Sequence, residues 1–149
     1  LRAIALVAGC VLQPGETLDS PRVRAIAGPQ SMIALHSLVE RDAFGDLGRP
    51  VPPPLEPVLA RYRKIYEAYE PADARYLSNH RGHLMYLRPE EETIVSADLI
   101  RMMSFTGTKP ELQERLREIK TAGYTEIGLN AGFGHVERLD EWAEVFAGI

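Results

Sequence analysis

Two closely spaced histidines stand out in the segment His80-Arg81-Gly82-His83. Imidazole titrates near neutral pH, so either ring could transfer a proton or contact a substrate. The i, i+3 spacing could also hold a metal ion on a helix. However, no cysteine or carboxylate stands at ligand spacing beside the pair, and Gly82 disfavours a regular helix. We therefore predict His80 and His83 as catalytic residues without a metal; solvated loop histidines are the alternative.

A glycine-rich stretch, Gly132-Phe133-Gly134, comes directly before the last predicted helix. Free backbone amides at a helix N-terminus bind anions, so Gly132 and Gly134 could contact a phosphate group. A glycine turn without a ligand is the alternative. Asn130 lies just ahead, at the end of a predicted strand. Its side chain could hydrogen-bond a ring carbonyl or a substrate, or it could form an Asx turn.

The remaining reactive and aromatic residues have structural interpretations. Cys10 lies inside an apolar run with no histidine nearby in sequence, which is typical of a small buried residue. His36 lies on an apolar helical face and is interpreted as a satisfied structural residue. The recurrence of Tyr62, Tyr66 and Tyr69 at i, i+4, i+7 indicates core packing more than an aromatic ligand site.

The bulk composition is that of a globular domain. The 149 residues are 45% hydrophobic and 26% charged, with a net charge of -4. This weak acidity gives no reason to expect nucleic acid or an anionic membrane as a partner. A single cysteine excludes an intrachain disulfide framework and fits a reducing compartment. No apolar run approaches the roughly 20 residues of a membrane-spanning helix. We therefore expect a cytoplasmic protein.

The elements that must position these residues alternate between strands and helices. The apolar run Ala3–Leu12 predicts a buried strand, and Ser20-Pro21 begins a helix that Gly28-Pro29 should break or kink. The helix should end near Arg41. Next come a proline-rich connector, a helix and an irregular stretch: Phe44–Pro57, Leu55–Tyr69 and Pro71–Pro89. These patterns divide the chain into a first βα unit at about 1–43, an insertion at 44–95 and two further βα units at 96–149.

The last third has the clearest pattern. Thr108 and Glu111 form a capping box, and Leu112, Leu116 and Ile119 share one face of the helix that begins there. The other predicted elements are a helix Ser96–Met102, strands Met103–Thr106 and Thr125–Leu129, and a final helix that buries Val136, Leu139, Ala143 and Phe146. Repeated βα order predicts an α/β fold with a parallel sheet and right-handed crossovers.

The segment 105–146 resembles the last two βα units of the luciferase-like flavin oxidoreductase family. The shared features are Gly107-Thr108, Pro110-Glu111, Ile119, Ala122-Gly123 and Glu126–Leu129. The beginning of the chain is similar to the sixth strand and helix of the deazaflavin-using branch. That similarity is carried by Val11–Glu16, Gly28-Pro29 and His36.

The resemblance implies a partial TIM (β/α)₈ barrel made of approximately the last three βα units. It implies an oxidoreductase, either a monooxygenase or a hydride-transfer enzyme, that uses FMN or coenzyme F420 on a small-molecule substrate. By analogy, the ends of the strands should contact the cofactor, and His80 and His83 should lie near the barrel mouth. The implied cofactor-binding residues are Gly107, Asn130, Gly132 and Gly134.

The resemblance also implies an incomplete enzyme, because a whole barrel usually exceeds about 250 residues. The segment that holds the cofactor phosphate would precede the sixth strand, so we expect weak flavin binding by the chain alone. The apolar side chains of Ile4, Leu6, Ile127 and Leu129 should face the barrel interior. They would need a cover, supplied by a homo-oligomer or by the missing N-terminal part.

Two alternatives remain open at this stage. One is a non-catalytic remnant or assembly module that associates through its open sheet edges. The other is an unrelated small α/β enzyme. Flavin absorbance of the purified chain would favour the oxidoreductase, and its absence would favour the alternatives.

Overall fold

The computed structural model of the chain describes residues 2–44, 50–131, 134, 136 and 138–149. Its two strands are β1 (Ile4–Ala8) and β2 (Glu126–Asn130). Its helices are α1 (Pro21–Phe44), α2 (Glu56–Glu67), α3 (Arg75–Asn79), α4 (Pro89–Glu92), α5 (Ala97–Met103), α6 (Lys109–Thr121) and α7 (Arg138–Phe146), with 3-10 turns at Pro53–Leu55 and Ala72–Ala74. None of these helices combines the length and the apolar character that crossing a membrane requires.

The two strands pair in parallel, as the sequence pattern predicted. The register runs from Ile4 opposite Glu126 to Ala8 opposite Asn130. A third stretch, residues 105–107, forms no strand of its own. It contributes a parallel bridge between Val11 and Gly107, and backbone hydrogen bonds join Phe105 to Ala8 and Gly107 to Cys10 and Leu12. The described part of the chain therefore holds a two-stranded sheet in a mostly helical structure. The prediction of a partial TIM barrel with three βα units is wrong.

The missing third strand has a local cause. Helix α5 continues through Met103, and both the backbone N–H and the hydroxyl of Ser104 donate to the carbonyl of Ile100, at 3.0 and 2.7 Å. The helix therefore uses the residues that the pattern had assigned to the start of a strand at Met103–Thr106. Between Ser104 and the capping box of α6, Phe105 and Gly107 donate to the carbonyls of Ala8 and Cys10 at 2.8 and 3.2 Å, and this short pairing at the end of β1 does not reach the length of a strand.

Helices α1, α2 and α5 enclose the first of two hydrophobic cores. Its fully buried members include Val23, Met32, Leu35, Tyr62 and Ile100. Helix α1 continues through Gly28-Pro29, so the predicted break is wrong. Proline removes one helical hydrogen bond, and the buried face of the 24-residue helix compensates for that loss.

The second core lies between one face of the sheet and helices α6 and α7. Its buried side chains are Val7, Val11, Phe105, Leu112, Leu116, Trp142 and Val145. The predicted buried stripe of α7 is wrong, since Val136 and Leu139 are 77% and 52% exposed. The buried Arg138 sets a different rotation of the helix, because its guanidinium donates to the carbonyls of Gly9 and Ala131.

Helices α6 and α7 cover one face of the sheet, and the side chains of Ile4 and Leu6 lie on the other face. Ile4 and Leu6 point away from the core and are 50% and 84% exposed. Ile127 and Leu129 instead pack partly against the second core. The prediction that these four side chains share one uncovered face is therefore wrong for Ile127 and Leu129.

The capped helix α6 provides a stability prediction. The capping box between Thr108 and Glu111 is present, and Leu116 is 2% exposed against the sheet. Leu116→Ala should lower the free energy of unfolding by about 2–5 kcal/mol through lost burial and the cavity that remains. Glu114→Ala, on the exposed face of the same helix, should change it by less than about 0.5 kcal/mol. Urea unfolding measures both, and equal losses would contradict the helix orientation.

Candidate metal centre

Three histidine rings meet where the C-terminal half of α1 contacts the turn after α3. One ring nitrogen from each of His36, His80 and His83 lies within 4.8 Å of the other two. The Nδ1 of His83 is 2.8 Å from the Nδ1 of His36 and 3.4 Å from the Nδ1 of His80. His36 is buried, whereas the side chain of His80 is 42% exposed. The cluster thus opens to solvent on one side.

A tight turn brings His83 back towards His80. The N–H of His83 donates to the carbonyl of His80 at 3.0 Å. The residues on either side of His83 have left-handed backbones, with φ of 77° at Gly82 and 66° at Leu84. Gly82 is required here, because a Cβ would lie 2.6 Å from the ring of Tyr86. Leu84 has no such freedom, and its strained conformation must be supported by its surroundings.

Two buried carboxylates fix the orientation of two of the rings. The Nε2 of His36 is 2.6 Å from Glu91, and the Nε2 of His80 is 2.9 Å from Glu40. Carboxylates only accept hydrogen bonds, so each Nε2 carries a proton, and the neutral ring in this tautomer has its lone pair on Nδ1. This pairing of carboxylate and histidine is the outer shell that orients histidine ligands in metal sites.

The two carboxylates belong to one hydrogen-bonded circuit. Tyr62 donates to Asn79 at 2.7 Å, and Asn79 donates to Glu40 at 2.6 Å. Arg88 donates to both Glu91 and Tyr62. In order, the circuit runs through His36, Glu91, Arg88, Tyr62, Asn79, Glu40, His80 and His83, and it returns to His36. It links α1, α2, α3 and α4 around the three histidines.

Burial and hydrogen bonding act in opposite directions on the pKa of Glu91. Burial alone would raise the pKa of Glu91, but hydrogen bonds from His36 and Arg88 lower it to about 2. Glu91 is therefore a carboxylate at neutral pH. Burial lowers the pKa of His83, and the neighbouring rings of His36 and His80 lower it further. A neutral His83 ring has a lone pair that can bind a metal.

The structure brings the two predicted histidines together with a third that the sequence pattern had assigned a structural role. His36 is satisfied and buried, as interpreted, but it also faces the pair at 80 and 83. A metal was not predicted because no cysteine or carboxylate ligand stands next to His80 and His83 in the sequence, whereas the third histidine comes from α1. The sequence contained one further signal for this site. Glu40 follows His36 by one helical turn, so the two side chains share one face of α1.

Two of the predicted cofactor-binding residues, Gly107 and Asn130, lie elsewhere, at the carboxyl end of the sheet. Gly107 bridges Val11 beside the capping box of α6, and Asn130 ends β2 opposite Ala8. Gly134 has a φ of 78°. Gly132 lies outside the described residues. The proposed contacts of these four with a flavin stay predictions.

The structural interpretation of Cys10 is confirmed. That of the three tyrosines holds in part, because Tyr62 is buried in the first core and Tyr66 packs partly against it, whereas Tyr69 belongs to neither core. Cys10 is fully buried, and burial raises the pKa of its thiol to about 11, which suppresses the reactive thiolate. Tyr62 packs in the first core, although its hydroxyl also serves the circuit. Burial raises the pKa of this hydroxyl well above its usual range, so it remains a donor.

Comparison of this chain with protein-family models, with curated proteins and with solved structures gave no match. Function must therefore be inferred from the geometry of the histidine cluster and its buried partners.

Proposed function

We propose that the protein binds a divalent transition-metal ion, Zn²⁺ foremost, through the Nδ1 atoms of His36, His80 and His83. The observation that carries the proposal is the pairing of Nε2 with a buried carboxylate at both His36 and His80. Each pairing leaves Nδ1 as a lone pair directed at a common neighbour, the Nδ1 of His83. Neutral imidazole is a preferred ligand of zinc, copper, iron and nickel.

The spacing of the nitrogens suits a tetrahedral ion. Zinc–nitrogen bonds of about 2.0–2.1 Å place neighbouring ligand nitrogens about 3.3 Å apart. The separation between His80 and His83 is 3.4 Å. His36 and His83 are closer, at 2.8 Å, a distance at which one ring donates its proton to the other. A metal would replace that proton and move the two rings about 0.5 Å further apart.

The charge of the circuit also favours a cation. Glu40 and Glu91 are 4% and 2% exposed. The circuit contains these two carboxylates and one guanidinium, that of Arg88. Buried charges are costly unless they are balanced. A divalent ion bound to the three imidazoles would add positive charge next to these two carboxylates.

Three protein ligands leave one tetrahedral position for water or substrate. Three histidines with an open fourth position are a ligand set of catalytic zinc, which lowers the pKa of bound water to about 7. Because the His80 side of the cluster is exposed, that position would face solvent. The function we propose is accordingly metal-assisted hydrolysis or hydration at this site.

Calorimetric titration of the chelator-treated protein with Zn²⁺ tests the proposal. We expect one ion per chain. Loss of an outer carboxylate typically weakens metal binding by about 10–100-fold, so His83→Asn should weaken it by more than about 100-fold. Arg81→Lys, in the same turn, is the matched control and should leave affinity unchanged. Absence of stoichiometric uptake, or equal affinity in His83→Asn, would overturn the metal site.

The flavin or deazaflavin oxidoreductase remains a second proposal. The feature that supports it is the resemblance at 105–146, together with the parallel pairing of β1 and β2. Two of its predicted cofactor contacts, Gly107 and Asn130, lie at the carboxyl end of the sheet, whereas its predicted catalytic residues, His80 and His83, belong to the histidine cluster. Titration of the chain with FMN, followed by quenching of flavin fluorescence, tests it separately from zinc binding.

A further inference from the structure

A cleft lies beside β1, between the uncovered face of the sheet, helix α1 and the C-terminal end of α5. Its volume is about 300 Å³, at the lower end of the range for small-molecule sites. Two polar side chains with long reach line it, Gln30 from α1 and Arg115 from α6. Most of the other lining residues are apolar, among them Leu6, Ile33, Met102, Met103 and Phe105.

Gln30 is buried in the wall of this cleft, and its side-chain carbonyl lacks a hydrogen-bond donor. The residue is 4% exposed, and Oε1 accepts no hydrogen bond from the part of the chain that the structure describes. A buried acceptor that has lost water and gained no donor is costly, and such groups are rare in folded proteins. A donor on a bound molecule would remove that cost.

Arg115 places a half-buried positive charge in the same cleft. Its guanidinium lies 4.0 Å from the ring centre of Phe105 and 3.4 Å from the carbonyl oxygen of Ser104. Glu111 and Glu118 attract it only at longer range, and among the described residues no carboxylate forms an ion pair with it. A partly desolvated guanidinium without an ion pair is suited to bind the carboxylate of a ligand, because its planar N–H groups match the two oxygens.

We infer that this cleft binds a small aromatic carboxylate that carries a hydrogen-bond donor on its ring. The carboxylate would pair with Arg115, and the donor would meet Oε1 of Gln30. The ring would lie against Leu6 and Met102, which are 84% and 46% exposed, and a thioether contacts an aromatic ring favourably. The inference is independent of the proposed metal centre, because none of the three histidines lines this cleft.

NMR titration of the ¹⁵N-labelled protein with benzoate, 3-hydroxybenzoate and 4-hydroxybenzoate tests the inference. The tighter of the two hydroxybenzoates should bind about 3–10-fold more tightly than benzoate, because it adds one hydrogen bond to Gln30. In Gln30→Met this difference should disappear. Arg115→Lys keeps the charge but loses the planar fork, so it should weaken binding of all three compounds by about tenfold. Arg117→Lys, on the exposed face of the same helix, is the matched control and should leave the three affinities unchanged.

The stability of Gln30→Met separates a role in ligand binding from a role in the fold. Because Oε1 has no donor within the described ranges, the substitution should leave the melting temperature of the ligand-free protein unchanged or raise it. A lower melting temperature, or a failure to fold, would show that Gln30 supports the fold and would overturn the inference. Equal affinity for benzoate and both hydroxybenzoates, or no binding of any of them, would overturn it as well. A preference that survives in Gln30→Met would have the same consequence.

Discussion

Arg88→Met is expected to lower the free energy of unfolding by about 3–5 kcal/mol. Arg88 is 1% exposed and donates to Glu91, to Tyr62 and to the carbonyl of Ser78. Without the guanidinium, Glu91 would be a buried carboxylate that has lost its permanently charged partner, which is the costly way to break a buried ion pair. Tyr62 would also lose the donor to its hydroxyl oxygen. Urea unfolding at neutral pH measures the loss.

Arg101→Met is the control for this substitution, because Arg101 is exposed on α5 and should contribute less than about 0.5 kcal/mol. The double variant Arg88→Met/Glu91→Met should recover part of the loss, since it also removes the buried carboxylate with which Arg88 pairs. Equal losses for Arg88→Met and Arg101→Met would show that Arg88 does not hold the circuit together.

Zinc is expected to raise the melting temperature by about 8–16 °C. At a free concentration a thousand times the dissociation constant, a ligand of the native state adds about 4.1 kcal/mol of stability. For a chain of this length each kcal/mol corresponds to about 2–4 °C. The reason is structural, because the ion would tie His36 on α1 to His80 and His83 on the turn after α3. Thermal unfolding followed by circular dichroism, with and without Zn²⁺, measures the shift.

A chelator should reverse this stabilisation. Mg²⁺ should not reproduce it, because that ion prefers oxygen ligands in octahedral geometry. In His83→Asn the shift should fall to a small fraction of its value. A shift of equal size in that variant would place the stabilising zinc elsewhere on the protein.

Local sequence signals predicted local structure well. Ser96 caps α5 by accepting from Leu99, Gly123 ends α6 with a φ of 96°, and β2 occupies Glu126–Asn130. These features depend on a few neighbouring residues, whose capping and turn preferences are strong. The rotation of α7 depended instead on a contact between Arg138 and Gly9, which are 129 positions apart in sequence. No periodicity within the helix records that contact.

The same distinction explains the barrel prediction. Alternation of strands and helices predicts parallel pairing, and β1 and β2 pair in that way. The alternation does not show how many strands join the sheet, because that number depends on whether each short apolar run pairs as a strand or lies at the end of a helix. Met103 and Ser104 belong to the C-terminal end of α5, so the third run contributes a bridge and a few backbone hydrogen bonds but no strand.

The candidate site was half visible in the sequence. His80 and His83 are close neighbours in the chain, so their spacing alone selected them. The third histidine and both carboxylates come from positions 36, 40 and 91, and only the packing of α1 against the later helices unites them. Glu91 also lies i+3 from Arg88, a spacing typical of an exposed helical pair, and the pattern does not reveal that both are buried.

The division into two cores bears on how the protein can change over evolutionary time. Every member of the circuit around the histidines lies on α1 to α4 or on the turns between them, whereas the sheet, α6 and α7 build the second core. Substitutions that repack the second core need not displace the three histidines. The sheet-bearing half can therefore accumulate changes, acquire partners or lose them, while selection on the histidine-bearing half continues independently.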